Sequence, residues 1–241
     1  MISKPKTSVV IQARIGSTRF PAKSLAQIGD FKLIEWVIKR IKMYFDSNSI
    51  ILAVPDTEEN RILETFAMNE GILFVTGPED DVLTRFQIAT KNLSERDFVI
   101  RVCADNPFIS GKLLKNMNDY AILNALEFVH SQHRLPESPY ADGFGAEILR
   151  KEALEKISLL AITKNDREHV TMRAYDADSG IKIHVYPLDD MFEKPYLKLD
   201  IDTKNDYLNI ENCVKKYSLG PYSDDKSIIQ AFQEEWTSAK K

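Results

Sequence analysis

The chain has 241 residues, of which 44% are hydrophobic and 28% charged, as in an ordinary globular protein with a sizeable core. Its formal net charge of −4 provides no global positive field for nucleic acid, so any phosphate binding must be local. Two cysteines, no signal-peptide core and no membrane-length apolar run predict a cytoplasmic protein that binds neither nucleic acid nor membrane.

The first predicted strand leads into a basic loop. Val9-Val10-Ile11 has the β-branched character of a buried parallel strand. Ligands of open α/β sheets bind at the carboxyl edge, where guanidinium and ammonium groups form charge-assisted hydrogen bonds with phosphate oxygens. The loop therefore predicts a polyphosphate site, the alternative being a basic surface loop that binds nothing. Its cations, glycine and hydroxyls are Arg14, Gly16, Ser17, Thr18, Arg19 and Lys23.

Strands and helices are predicted to alternate over the first half of the chain. Buried apolar runs predict strands at 50–54, 72–75 and 98–103. Amphipathic spacing and caps predict helices at 32–44, from Thr57 to Gly71, from Asp80 or Asp81 to Asn92, and at 110–126. This alternation favours an α/β fold with a mostly parallel, Rossmann-like sheet flanked by helices.

The second half is less regular. Strands are predicted at 127–130, 145–149, 181–186 and 196–201, with a loop at 133–142 that is mobile or faces substrate. Helices are predicted at 151–158, over 167–171 with Asn165 or Asp166 as cap, from 202 to 217, and as a short tail through Trp236 with a frayed basic end. Residues 128–195 are interpreted as an inserted β-rich subdomain over the site, within a single domain spanning 1–241.

Carboxylates are predicted at the same edge as the basic loop. Asp105 ends the fourth strand, while Asp200 and Asp202 lie two apart on a strand pattern and so share a face. Mg²⁺ prefers one or two carboxylates together with phosphate oxygens and water. Asp105 and Asp202 therefore predict a magnesium site. In the alternative interpretation, Asp105 forms a turn before Pro107 and Asp202 caps the last long helix.

Several segments resemble one enzyme family. ARIGSTRFPAK, at 13–23, resembles the A-R-x-G-S-x-R-x-P-x-K signature of CMP-Kdo and CMP-sialic acid synthetases, and more closely the cytidylyltransferases named for spore-coat polysaccharide biosynthesis. Phe20 and Ala22 depart from the usual Leu and Gly, and Gly145 replaces an acid. Further matches occur in the family's order: GPEDDVLTRF at 77–86, RVCADNPF at 101–108, DGFGAE at 142–147, REHVT at 167–171 and LDIDTKNDY at 199–207.

The resemblance implies a GT-A-like nucleotidyltransferase that transfers CMP from CTP to a sugar acid or phosphorylated acceptor, releasing pyrophosphate, in surface polysaccharide or glycan precursor synthesis. Arg14 and Lys23 would hold the triphosphate, and Asp105 and Asp202 the Mg²⁺. The family also implies a homodimer, formed through 128–195. Implied nucleotide contacts are Ala13, Arg14, Gly16, Ser17, Arg19, Lys23, Asp81 and Arg85, and implied acceptor contacts are Arg101, Asp142, Glu147, Arg167, Glu168 and His169.

Alternatives remain at this point. Asp81 and Arg85 also fit a helix cap and a solvated helical charge, and Arg167 to His169 also fit a surface trio. A glycosyltransferase would use Asp200-Ile201-Asp202 as an Asp-x-Asp motif, but it has no use for the basic loop. A nucleotidyltransferase that uses another nucleotide base also remains open, because the sequence does not fix which base is bound. A non-catalytic nucleotide sensor is disfavoured because both acids and the loop are intact.

Overall fold

The computed structural model describes residues 4–131 and 140–239. Strands and helices alternate through the first half as predicted, although helix ends shift by about a turn. A small hairpin, β2–β3, is inserted after the basic loop and was not predicted. The elements are β1 (Thr7–Gln12), β2 (Gln27–Ile28), β3 (Phe31–Lys32), α1 (Leu33–Lys42), β4 (Ile50–Pro55), α2 (Arg61–Glu70), β5 (Leu73–Gly77), α3 (Val82–Ala89), β6 (Phe98–Cys103) and α4 (Gly111–Leu123).

The second half differs from the sequence prediction in several places. The predicted strand at 196–201 is wrong, because that extended segment forms only an isolated bridge, between Lys198 and Asp142. The predicted short tail helix is wrong in length, because α8 has 15 residues. The elements are β7 (Phe128–His130), β8 (Glu147–Arg150), α5 (Lys151–Leu160), α6 (Lys164–Glu168), β9 (Ile183–Val185), α7 (Lys204–Lys216) and α8 (Asp225–Ala239).

Seven strands form one sheet in the order β5-β4-β1-β6-β8-β7-β9. β5, β4, β1 and β6 are mutually parallel, and β8 alone among the seven runs in the opposite direction. This confirms the predicted mostly parallel α/β sheet, and β9 lies at its edge. Strands β7 to β9, from the segment 128–195, extend the same sheet. The loop predicted at 133–142 lies mostly outside the described residues, as do Lys240 and Lys241 of the predicted basic end.

The sheet separates two hydrophobic clusters. Val9 and Ile11 belong to the larger cluster, with α1 and α4, whereas Val10 belongs to the smaller one, with α3 and α5. Side chains on a strand alternate between faces, so a continuous apolar run marks a strand that is buried on both sides. Each fully buried Val or Ile side chain contributes about 1.5–3 kcal/mol of stability. Burial therefore fixes the register of β1 and the place where the basic loop begins.

Caps set the helix boundaries near the loop edge. Asp81 is the cap of α3, because its carboxylate accepts a hydrogen bond from Thr84 N at 2.8 Å. For α6 the predicted caps are wrong, since Thr163 caps this helix and Asp166 accepts from Thr163 N in return. The helix was also predicted to continue to residue 171, but it stops at Glu168. Val170 has a φ of +44°, a value that a β-branched residue rarely adopts and that ends a helix.

Across residues 4–131 and 140–239, no helix combines the length and the apolar character needed to cross a membrane.

Candidate active site

A polar cavity of about 320 Å³ opens at the carboxyl ends of β1 and β6. These strands are adjacent, with Gln12 paired to Cys103, so the basic loop and Asp105 leave the sheet side by side. Gly16, Asp81, Asp142, Glu147, Arg167 and Asp202 are predicted site residues outside its lining. The cavity is lined by Gln12, Ala13, Arg14, Ser17, Thr18, Arg19, Lys23, Ser24, Val82, Arg85, Arg101, Cys103, Ala104, Asp105, Glu168 and His169.

Lys23 lies between the two predicted metal-binding acids. Its Nζ donates to Asp105 Oδ2 at 3.0 Å and to the Ile201 carbonyl at 2.8 Å, and lies 3.7 Å from Asp202 Oδ1. Asp202 reaches this point because Ile201 N donates to the Asp105 carbonyl at 2.9 Å. Two acids that are remote in sequence thus meet at one cation.

The other two cations of the loop also face carboxylates. Arg19 binds Asp202 through both guanidinium nitrogens, Nη1 to Oδ2 and Nη2 to Oδ1, each at 2.9 Å. Arg14 Nη2 lies 3.5 Å from Glu168 Oε1, at the end of α6. Each basic side chain of the loop therefore lies against a carboxylate from another part of the chain.

Local contacts hold the backbone of the loop. Ser24 Oγ donates to the Arg14 carbonyl at 3.1 Å, and Ile15 N donates to Asn60 Oδ1 at 2.9 Å. Asn60 is fully buried at the start of α2 and also donates to Thr57 Oγ1 at 2.7 Å. Sequence reasoning missed Asn60, because its loop partner is distant in the chain and nothing in the local pattern marks it.

Other predicted loop residues have partners within the protein. Ala13 N donates to the Ala53 carbonyl at 3.2 Å, and Ser17 N to the Ile15 carbonyl at 2.8 Å. A Cβ added at Gly16 would meet Glu79 Oε1 at 3.0 Å and Glu59 Oε1 at 3.2 Å. Gly16 therefore allows the loop to pass close to these two acids.

Arg85 is a buried cation in the cavity wall. The residue is 2% exposed, and its Nη1 donates to the carbonyls of Pro78 at 3.0 Å and Glu79 at 3.1 Å. Its Nε has no hydrogen-bond partner within the described part of the chain. Burial, with repulsion from Arg14, lowers the pKa of Arg85 to about 10, so the side chain stays charged at neutral pH.

Asp81 and Arg167 bind each other beside the cavity. Arg167 Nε donates to Asp81 Oδ2 at 2.6 Å, and Arg167 Nη2 donates to Thr84 Oγ1 at 2.8 Å. Burial works to raise the pKa of Asp81, but hydrogen bonds from Arg167 and Thr84 hold that pKa below its ordinary value. This pair fastens α6 to the start of α3.

A smaller cavity of about 130 Å³ adjoins the first and shares Arg101 and Cys103 with it. Arg101 Nε donates to Gln12 Oε1 at 3.1 Å, and its Nη1 donates to Glu147 Oε2 at 2.7 Å. Burial raises the pKa of the Cys103 thiol to about 11, so the thiol is protonated at neutral pH. The remaining lining residues of this smaller cavity are Asn106, His130, Gly145, Ala146, Glu147 and Tyr175.

Glu147 is the counter-ion of Arg101. Its Oε2 also accepts from Thr171 Oγ1 at 2.7 Å, and its Oε1 accepts from the Tyr175 hydroxyl at 2.8 Å. A buried ion pair is stable only when its remaining polar atoms are satisfied in this way. The network joins β6, β8 and the segment after α6 around the boundary between the two cavities.

A family model described as cytidylyltransferase matches residues 8–230 of this chain. The chain belongs to the cytidylyltransferase family. It is therefore a CTP-dependent nucleotidyltransferase, and the predicted relationship to CMP-sugar synthetases is confirmed.

Individual cytidylyltransferases and relatives agree with this family assignment. The chain is 28% identical over 225 residues to the spore coat polysaccharide biosynthesis protein SpsF of Bacillus subtilis, covering 91% of each chain. It is 31% identical over 151 residues to a 3-deoxy-manno-octulosonate cytidylyltransferase of Alteromonas mediterranea, covering 62% of this chain and 59% of that one. A solved cytidylyltransferase from Leptospira borgpetersenii has 25% identity and a TM-score of 0.87, over 97% and 96% of the two chains.

Ala22 shows why its departure from the cytidylyltransferase signature matters. It adopts the left-handed conformation, with φ +55° and ψ +26°, at the turn that presents Lys23. Glycine adopts this conformation without the strain that a Cβ introduces, which costs about 1–2 kcal/mol per residue. Alanine at this position therefore carries a conformational cost that a glycine would avoid.

The donor set of this cytidylyltransferase fits a divalent cation. Lys23 Nζ is a cation that lies within 4 Å of carboxylate oxygens of both Asp105 and Asp202. The Ile201 carbonyl oxygen also lies 2.8 Å from this nitrogen. Hard oxygen donors of this kind suit Mg²⁺. No group of three or more His, Cys, Asp or Glu side chains arranged for a metal occurs among the described residues. A metal held here would therefore take its remaining ligands from phosphate and water.

Asp200 does not share a strand face with Asp202, because no strand forms there. Its Oδ1 is buried and has no hydrogen-bond partner in residues 4–131 and 140–239. Burial, with the nearby carboxylate of Asp142, raises the pKa of Asp200 to about 6. Asp206 lies at the start of α7, where its carboxylate accepts from Thr203 N at 2.7 Å.

Proposed function

We propose that this protein transfers CMP from CTP to a sugar acid or a phosphorylated small molecule and releases pyrophosphate, in the synthesis of surface polysaccharide or glycan precursors. The observation that carries the proposal is the meeting of Lys23, Asp105 and Asp202 beside a cavity lined by the signature loop. The sugar-acid acceptor and the polysaccharide setting are supported by the names of the Alteromonas and Bacillus relatives.

The triphosphate would bind along the basic loop. Arg14, Arg19 and Lys23 would each donate to phosphate oxygens, as guanidinium and ammonium groups do strongly. Arg85, buried under the same wall, would add a fixed positive charge near the nucleotide. Of the implied nucleotide contacts, Asp81 is engaged by Arg167 and Thr84, so we assign it to holding α3 and α6 together.

Asp105 and Asp202 would hold Mg²⁺ beside the phosphates. When bound there, the ion would neutralise charge on the α-phosphate and on the leaving pyrophosphate. Asp105 follows β6 directly, and Asp202 is fixed by the hydrogen bond between Ile201 N and the Asp105 carbonyl. The chain therefore holds both carboxylates close together beyond the carboxyl end of β6.

The chemical step is an in-line displacement at the α-phosphorus. An acceptor oxygen forms the new O–P bond, and the bond from the α-phosphorus to the bridging oxygen breaks, so that its electron pair leaves with pyrophosphate. Positioning and charge stabilisation supply most of the catalysis in such reactions. A carboxylate or phosphate acceptor needs no base. For a hydroxyl acceptor, His169 on the cavity wall is the group that would take the proton.

The acceptor would enter the smaller cavity. Arg101 lies at the boundary with the nucleotide cavity, and its guanidinium would bind an anionic group of the acceptor, with Glu147 holding it in place. Glu168 and His169 line the nucleotide cavity at the end of α6. Arg167 is engaged by Asp81, and Asp142 lies beside Lys198 and Asp200, so we do not assign these two to the acceptor.

A pyrophosphate assay tests the proposal. The protein is mixed with Mg²⁺, each of the four nucleoside triphosphates in turn, and a panel of sugar acids and sugar phosphates. We expect pyrophosphate from CTP with at least one acceptor, and release about 10²–10³-fold slower from the Asp105→Asn variant. Release from another triphosphate would change the base assignment, and release from none would contradict the proposal. The homodimer, the cytoplasmic location and the subdomain role of 128–195 stay predictions.

A further inference from the structure

Both oxygens of Asp202 are engaged by cations of the chain itself. Arg19 donates to Oδ1 and Oδ2, each at 2.9 Å, and Lys23 Nζ lies 3.7 Å from Oδ1. By contrast, within the described residues the Asp105 carboxylate accepts a side-chain hydrogen bond from Lys23 only. Of the two acids assigned to the metal, Asp202 is therefore the more completely engaged, and Arg19 makes most of its contacts.

Arg19 is largely exposed to solvent, whereas Lys23 is mostly buried. The Arg19 side chain is 63% exposed, and the Lys23 side chain is 14% exposed and also tied to the Ile201 carbonyl. A long, exposed arginine can exchange a carboxylate for a phosphate at little cost, because two oxygens of either anion match the same pair of N–H donors. The triphosphate would offer Arg19 such an anion in the cavity that this residue lines.

We propose that Arg19 is an exchange residue that holds Asp202 in the free protein and moves to the phosphates when the nucleotide binds. Asp202 then becomes available to a divalent cation, so the metal and the nucleotide bind as a coupled pair. Metal alone binds weakly because it must displace Arg19 without offering that residue another anion. This inference rests on the proposed function in one respect, the assignment of Asp202 as a metal ligand.

Exchange sets a measurable coupling between two ligands. An exposed ion pair stabilises its two partners only modestly, and a bidentate Arg–carboxylate pair somewhat more. A metal that binds alone must break the Arg19–Asp202 pair, so removing Arg19 should tighten the binding of metal alone by roughly threefold to tenfold. Because binding linkage is reciprocal, the factor by which CTP tightens metal binding should shrink in the same variant. The effect concerns binding, so it is visible without turnover.

The test measures Mn²⁺ binding by electron paramagnetic resonance of the free ion, at about 0.15 M ionic strength to screen remote charges. Wild type, Arg19→Gln, Arg14→Gln and Arg61→Gln are titrated with and without CTP, and the Mn²⁺ bound by CTP alone, measured without protein, is subtracted. Arg14→Gln removes a cation from the same cavity, but its partner Glu168 is not an assigned metal ligand. Arg61→Gln removes a remote exposed cation that pairs with Glu58. All three variants lose one positive charge.

We expect Arg19→Gln to bind Mn²⁺ alone roughly threefold to tenfold more tightly than wild type, Arg14→Gln to change by less than about twofold, and Arg61→Gln not to change. CTP should tighten Mn²⁺ binding strongly in wild type and less in Arg19→Gln. Equal effects of Arg19→Gln and Arg14→Gln would overturn the exchange, as would an absence of coupling or of Mn²⁺ binding in wild type. If the exchange is overturned but the protein still releases pyrophosphate from CTP, the proposed function stands. If the expected coupling is found but no nucleotide yields pyrophosphate, the proposed function is wrong and the exchange stands.

Discussion

The ammonium group of Lys23 donates a hydrogen bond to the carboxylate of Asp105 at 3.0 Å, although the two residues are 82 positions apart. They meet because the strands that precede them, β1 and β6, are neighbours in the sheet and end at the same edge. Asp202 joins them through the backbone hydrogen bond of Ile201. The catalytic proposal depends on this cluster, and the first predictions concern its members.

Asp105→Asn and Asp202→Asn should each lower the rate of pyrophosphate release by about 10²–10³-fold, because the removed charge would act on the transition state. Both side chains are about a third exposed or less, at 30% and 27%, and neither lies in the core. The free energy of unfolding in urea should therefore change little. Steady-state kinetics and urea titrations on the same preparations check both parts, and near-normal rates in both variants would remove the metal assignment.

Lys23→Ala should raise the KM for CTP and lower kcat, because the ammonium group is the cation placed between both acids and the cavity. Lys204→Ala is the matched control, since Lys204 is an exposed residue at the start of α7. We expect ordinary kinetics for that control. If Lys23→Ala behaves like Lys204→Ala, the basic loop does not bind the triphosphate.

The sequence predicts most of the fold because its strongest patterns record burial. β4 is a continuous apolar run, β1 contains one at 9–11 and β6 contains one at 98–100, and such runs have few alternatives in an α/β protein. The segment 196–201 shows the limit of this reasoning. Leu197, Leu199 and Ile201 are buried and their neighbours are not, so the alternation is real, but it reports which side chains are buried and not whether a hydrogen-bonded neighbour strand is present.

The positions of candidate site residues were predictable where they follow directly from the carboxyl end of a parallel strand, as for Arg14, Lys23 and Asp105. They were not predictable where a side chain chooses between partners that are distant in sequence. Arg167 binds Asp81, 86 residues away, and the buried Asn60 holds the loop at Ile15, 45 residues away. No local spacing encodes such a choice, because it depends on which helix ends pack together.

Arg101→Gln should raise the KM for the acceptor much more than the KM for CTP, because this guanidinium lies at the boundary of the smaller cavity. The substitution also leaves Glu147 buried without its cation, so some loss of stability is expected. Glu147→Gln is the comparison, because it breaks the same ion pair but keeps the arginine. Equal KM values for the acceptor in the two variants would argue against Arg101 as its anchor.

Gly143→Ala should destabilise the protein by about 1–3 kcal/mol and also reduce activity. Gly143 has a φ of +98°, and an added Cβ would lie 2.9 Å from the Leu199 carbonyl carbon, in the segment that leads to Asp202. Gly180→Ala is a matched control, since Gly180 has a φ of +65° but open space around it. Urea unfolding separates the shared backbone strain from the clash, and equal losses in both variants would show that the contact with Leu199 is unimportant.

Asp200→Asn should stabilise the protein at pH 7 but not at pH 4. Burial raises the pKa of Asp200 from its ordinary 3.8 to about 6, so the folded state binds a proton more readily than the unfolded state does. Stability from this group therefore falls as the pH rises from about 4 to 6, by up to about 3 kcal/mol. Asparagine carries no charge at either pH and avoids this cost.

The measurement is the free energy of unfolding in urea, with EDTA present, at pH 4 and at pH 7. Asp206→Asn provides a control of opposite sign. Burial works to raise the pKa of Asp206, but hydrogen bonds from Lys198 and Thr203 hold it below its ordinary value. That variant should lose stability at pH 7 and lose less at pH 4. If Asp200→Asn also loses stability at pH 7, a partner of the buried Oδ1 offsets the cost of burying the charge. Burial of Asp200 then does not destabilise the folded protein.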